Sequence, residues 1–168
     1  MKLQIILNVN YKTPKNYFKK VFDTTLKELS QIKKFEEFCK NKKLEINLVI
    51  TNDEEMKELN KKWRDKNKTT DVLSFPYFDL SEKTTPGVLK ITSPLKVKSS
   101  VEIFGEILIS LPQCKKQADN LNHSLQKEVS ILFIHGLLHL FGYDHIKEKD
   151  FLDMNSLEQK IDKQLESA

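Results

Sequence analysis

Hydrophobic residues recur along this chain with two periods, near two in some stretches and near 3.6 in others, which predicts interleaved strands and helices. Residues 2–9 (KLQIILNV) read as a first strand. Thr13 and Pro14 then supply an N-cap and a first-turn proline. Tyr17, Phe18, Val21, Phe22, Thr25, Leu26 and Leu29 follow at helical spacing, predicting an amphipathic helix that runs to about Cys39. The alternating, β-branched run LEINLVIT at 44–51 predicts a second strand. Asn52 and Asp53 cap the next helix, whose first turn holds Glu54 and Glu55. Met56, Leu59 and Trp63 are its expected buried stripe, and it ends near Arg64 in the polar turn DKNKTT.

Asp71–Phe75 is a short third strand stopped by Pro76, and Phe104–Ser110 is a fourth. The intervening Ser, Thr, Lys and Pro-rich segment is longer than ordinary connections, with a possible small hairpin pairing 88–91 with 95–97 around Ser93-Pro94. Helices are expected over Pro112–Asn120, Ser124–Phe141 and Glu148–Leu165. The middle one is apolar on nearly all sides in its second half, as central, buried helices are. With no internal repeat and no composition break, residues 1–168 read as one α/β (α+β) domain. About five helices pack on a small mixed sheet of about four strands, without strict βαβ alternation after the second helix.

A length of 168 residues supports a real core without staples. The 39% hydrophobic content excludes a disordered chain, and four glycines exclude glycine-rich repeats. Cys39 and Cys114 form no CxxC pair, which argues against a disulfide framework and for a reducing cytosol. The longest apolar stretch, Ile131–Tyr143, is too short to span a bilayer. Gln4 and Asn8 interrupt the amino-terminal apolar run that a signal peptide needs. A soluble, cytoplasmic protein is expected. The net charge of +4 permits a nucleic-acid partner without requiring one. Arg64 is the single arginine among 28 basic residues. It reads either as a surface accident or as a position that needs a planar, bidentate guanidinium.

Chemistry concentrates in HGLLHLFGYDH, which holds His135, His139 and His145. Four residues apart on a helix, His135 and His139 project from one face a single turn apart. Gly142 accepts the left-handed conformation that ends a helix, so the chain can reverse and bring His145 back toward them. Three imidazoles without a fourth ligand nearby describe an open catalytic metal site, with one zinc ion expected. Nickel, copper and iron also suit imidazole. Asp144 has two readings, an orienter of a ligand ring or a shaper of the turn. The histidine-bearing helix is metzincin-like in its ligand spacing, H-E-x-x-H-x-x-G-x-x-H, but Gly136 stands where those proteases carry their glutamate base. Peptide hydrolysis therefore drops to the least favoured reading. An RNA phosphodiester asks less, because its 2′-OH can serve as the nucleophile.

HGLLHLFGYDH closely resembles the H-G-x-L-H-L-x-G-Y-D-H signature of the YbeY family of bacterial endoribonucleases. NKKWRDKNKTTDVLSFP at 60–76 and FGEILIS at 104–110 are similar to two further family blocks. The resemblance implies a single-strand-specific, zinc-dependent endoribonuclease active in 16S rRNA maturation and ribosome quality control. It implies His135, His139 and His145 as zinc ligands and Arg64 as the functional arginine. Lys61, Lys62, Lys66 and Lys68 beside Arg64 form either a basic wall for the RNA backbone or an ordinary solvated helix end. Implied partners are rRNA in the small ribosomal subunit, a ribosomal protein and a ribosome-assembly GTPase, with no membrane and no DNA. Thr70, Asp71 and Ser74 match the family block and read mainly as strand and turn structure. Asp65, Thr69 and Glu106 depart from it, as does the long 77–103 segment; these departures bear on the cleft rim and RNA selectivity and not on the metal ligands. The competing reading is a non-catalytic, RNA-binding assembly factor with a structural zinc.

Overall fold

The structure, a computed structural model, describes residues 4–9, 17–30, 43–77, 102–143, 145 and 147–167. In chain order these form β1 (Gln4–Val9), α1 (Tyr17–Leu29), β2 (Lys43–Thr51), α2 (Asp53–Arg64), β3 (Val72–Pro76), β4 (Glu102–Ser110), α3 (Leu111–Leu121), α4 (Leu125–Leu140) and α5 (Glu148–Glu166). The expected mixed α/β fold is the one observed. The helix starts at Asn52 and Ser124 follow the polar residues read from the sequence, whereas Ser110, read only as a strand end, also caps a helix. The Asn52 side chain accepts from the Glu54 and Glu55 amides at 3.0 Å each, and the Ser110 and Ser124 hydroxyls cap α3 and α4. At the end of α1 the Ser30 hydroxyl donates to the Lys27 carbonyl at 2.8 Å, in a turn that follows Leu29. The Thr13-Pro14 start, the helix expected over 31–39, the hairpin of 88–91 with 95–97, and Asp144 lie outside the described residues.

The strands form one sheet in the order β1-β2-β4-β3. β1, β2 and β4 run parallel, and β3 pairs antiparallel with β4, with Leu73 opposite Leu108. Among the described residues β3 is therefore an edge strand, which tolerates Pro76 as its last residue.

Side-chain alternation divides the sheet into two unequal faces. Ile46, Leu48, Ile107 and Ile109 join the larger core with Phe18 and Phe22 of α1, Phe133 and Leu137 of α4, and Met154 and Ile161 of α5. Phe133 is fully buried, edge-on to Phe18 and stacked on Phe22. Truncating it to alanine would cost about 3–5 kcal/mol. On the other face, Leu73, Phe75 and Leu108 pack against Met56 of α2, with Val49 and Leu59 at the margin. The histidine-bearing helix and the arginine-bearing helix thus lie on opposite faces.

One expectation fails on the smaller face. Met56 is fully buried, but Trp63 is 38% exposed and does not complete the buried stripe of α2. The last turn of α2 lies at the margin of this small core, where the Trp63 ring meets Phe75 edge-on.

A candidate metal centre on α4

α4 is held by its apolar sides, with Val129, Leu132, Phe133, Ile134, Leu137, Leu138 and Leu140 all buried. Gly136 faces the sheet. A Cβ there would sit 2.7 Å from Ile107 Cγ2 and 3.0 Å from the Ser74 hydroxyl. The glutamate of the zinc proteases is therefore not merely missing but has no room on this helix.

The helix ends in a Schellman turn at Gly142, whose φ of 86° suits glycine. The Gly142 amide donates to the His139 carbonyl and the Tyr143 amide to the Leu138 carbonyl, each at 3.0 Å. This turn reverses the chain and returns His145 to the helix. The ring centroids lie 4.5 Å apart for His135 and His139, 5.0 Å for His139 and His145, and 5.6 Å for His135 and His145. One ring nitrogen from each of the three lies within 4.8 Å of the others. Among the described residues this is the one group of three or more His, Cys, Asp or Glu side chains placed to hold a metal ion.

The hydrogen bonds fix which nitrogens face inward. His139 Nδ1 lies 2.9 Å from the Tyr143 carbonyl oxygen, which only accepts, so Nδ1 carries the hydrogen and Nε2 keeps its lone pair. His135 Nδ1 meets Glu158 Oε1 of α5 at 2.7 Å, with the same consequence. The two Nε2 atoms then stand 3.0 Å apart, and in two neutral rings with these tautomers lone pair would face lone pair. Such a contact is repulsive until a proton or a cation lies between them. Tetrahedral zinc, with Zn–N bonds of roughly 2.0–2.1 Å, would hold adjacent nitrogens about 3.3 Å apart. The donor set therefore fits a metal ion of this kind.

Neither helper was visible in the motif. The Tyr143 carbonyl belongs to the turn that Gly142 announces. Glu158 is remote, yet it left a trace. With Met154, Leu157, Ile161 and Leu165 it shares one helical face, at i, i+3, i+4, i+7 and i+11 from Met154, and it alone among them is charged.

Arg64 ends α2, and Lys61 and Lys62 precede it in the same turn. Asp65, in the left-handed conformation, closes the helix, and Lys66 and Lys68 follow; all five basic residues are exposed. Desolvation by neighbouring protein pulls the Arg64 guanidinium below its ordinary pKa, although arginine stays charged at any working pH. The structure gathers these cations at one end of α2 and the histidines at the end of α4, on the two sides of the sheet, and both helices contact edge strand β3. Asp71 is structural. Its carboxylate accepts from Thr70, the Val72 amide and Gln117 of α3. Ser74 lies under Gly136.

A family model described as Endoribonuclease YbeY matches residues 6–166. The chain belongs to the YbeY endoribonuclease family. Relatives named Endoribonuclease YbeY include those of Nautilia profundicola, 44% identical over 72% of this chain and 72% of that one, and Clostridium botulinum, 34% identical over 87% and 84%. The Agrobacterium fabrum relative is 39% identical over 70% of this chain, which spans 62% of that protein. The solution structure of TM1509 from Thermotoga maritima shares the fold, with a TM-score of 0.54 at 23% identity over 96% of this chain and 89% of that one. Among the described residues, no helix is long and apolar enough to cross a membrane.

Proposed function

We propose that residues 1–168 form one metal-dependent endoribonuclease domain that hydrolyses phosphodiesters of single-stranded RNA. His135, His139 and His145 hold one zinc ion, and Arg64 clamps the substrate phosphate. The observation that carries this reading is the convergence of two imidazole Nε2 atoms at 3.0 Å, with a third ring beside them, in a chain of the YbeY family. When bound, the ion supplies a Lewis acid for the phosphoryl group. Glu158 and the Tyr143 carbonyl keep the His135 and His139 rings in the tautomer that points Nε2 inward. Arg64 offers a planar fork of donors to phosphate oxygens, and Lys61, Lys62, Lys66 and Lys68 hold the flanking backbone. The substrate is 16S rRNA in its maturation and quality control. The setting is the cytoplasm, with a ribosomal protein and a ribosome-assembly GTPase as partners and neither membrane nor DNA involved.

Single-turnover cleavage of a defined 16S rRNA precursor by metal-loaded protein tests the proposal. Arg64→Ala should slow it roughly 10²–10³-fold, the cost of losing one preorganised donor, without moving the melting temperature. An unchanged rate would remove the clamp. One observation favours the second reading, an assembly factor with a structural zinc. The Glu158–His135 contact ties α5 to α4, so a metal there also fastens the fold. That reading predicts that His139→Ala melts early while any cleavage by the preparation persists.

A further inference from the structure

Trp63 is a large aromatic side chain left exposed at the margin of the smaller core. Its helix buries Met56 completely and leaves the indole 38% exposed. The ring is nonetheless held, edge to face with Phe75 at 6.3 Å between centroids and 61° between planes. Lys62 Nζ lies 5.0 Å from the ring centroid. Along the chain, residues 61–68 also carry Lys61, Arg64, Lys66 and Lys68, against one acid, Asp65.

We infer that Trp63 is a stacking platform for an unpaired base of the RNA, adjoining the phosphate clamp. The inference rests on the RNA-cleaving reading above and adds to it a base subsite. The ligand that suits this patch must be anionic, to satisfy five cations, and must carry a flat π-face, to cover the indole. A single-stranded nucleotide has both in one unit, with the phosphate beside the base. Such sites combine aromatic platforms with a cationic track and tolerate any sequence, because every base has a π-face. Phe75 pins the ring before binding, so little side-chain entropy is lost when a base covers it. The Lys62 ammonium, on a flexible four-carbon stem, can exchange the ring for the incoming phosphate.

Trp63 is the only tryptophan in the chain, so fluorescence excited selectively, to the red of tyrosine absorption, reports on position 63 alone. The full-length, metal-loaded protein is titrated with 2′-O-methyl oligoadenylate, which resists cleavage, and with an abasic chain of the same phosphate count. The expected result is quenching by the base-bearing oligomer and none by the abasic one. Trp63→Ala should weaken binding of the base-bearing oligomer about 5- to 150-fold and leave the abasic affinity unchanged, as stacking of one base predicts. Trp63→Phe should restore most of the loss, which separates stacking from a folding defect. Equal quenching by both chains, no quenching by either, or an unchanged affinity of Trp63→Ala would overturn the platform; a protein partner covering the indole falls under the second. Cleavage is scored separately. Quenching without cleavage keeps the platform and sinks the nuclease reading, and cleavage without base-dependent quenching does the reverse.

Discussion

Near the start of α4, His123 Nε2 meets Glu128 Oε2 at 2.6 Å; toward its end, His135 Nδ1 meets Glu158 Oε1 at 2.7 Å. The two pairs use the same groups at nearly the same distance, but they do different things. The first is local, within five residues, and commits Nε2 to a carboxylate that is almost wholly buried. It fastens the α3–α4 turn. The second reaches across to α5 and commits Nδ1, which turns Nε2 toward His139. A histidine beside a carboxylate is therefore no sign of a site; which nitrogen the carboxylate takes, and what the other one faces, decides.

Glu158→Ala should weaken metal binding about 10- to 100-fold, measured by competition with a chromophoric chelator. If Glu158 only glues two helices, the affinity stays put and thermal stability alone falls. His123→Ala should cost about 1–2 kcal/mol in denaturant unfolding, because Glu128 loses its partner while buried, with metal affinity unchanged. A loss of metal in that variant would erase the distinction between the two ends.

The smallest effect concerns the other anchor of α5. Glu28 on α1, nearly buried, bonds to Lys160 and Gln164, and these hold its carboxyl below the ordinary glutamate range. A lowered carboxyl stabilises the fold fully above the ordinary glutamate pKa and loses that contribution as pH falls through the lowered value. Glu28→Gln should therefore cost about 1 kcal/mol near neutrality, with half-exposed Lys160 screening the pair. The gap from the natural chain should close in acid below the carboxylate range. A gap that persists there would show that shape, not charge, holds this end of α5.

Much of this arrangement is local and hence legible in the residue order. Alternation marks β2 and β4, the Asn52 and Ser124 caps mark two helix starts, and His135, His139 and Gly142 predict convergence because one turn of helix and one glycine suffice to build it. What failed was tertiary. The 56-59-63 spacing says that one side of α2 is apolar, but not where the smaller core ends, so Trp63 is expected inside and stands at the margin. The strand order β1-β2-β4-β3 places the histidine helix and the arginine helix on opposite faces, which no local pattern encodes. Glu158 lies 23 residues from its histidine partner. Its charge within an apolar stripe is a clue that something polar waits opposite, without saying what.

If His135, His139 and His145 close on one metal ion, elemental analysis will count it. Full-length protein, stripped with chelator and dialysed against zinc, should carry one ion per chain. His139→Ala, treated the same way and still folded by circular dichroism, should carry none. A natural chain that takes up no metal, or a His139→Ala variant that keeps its full complement, would contradict the account.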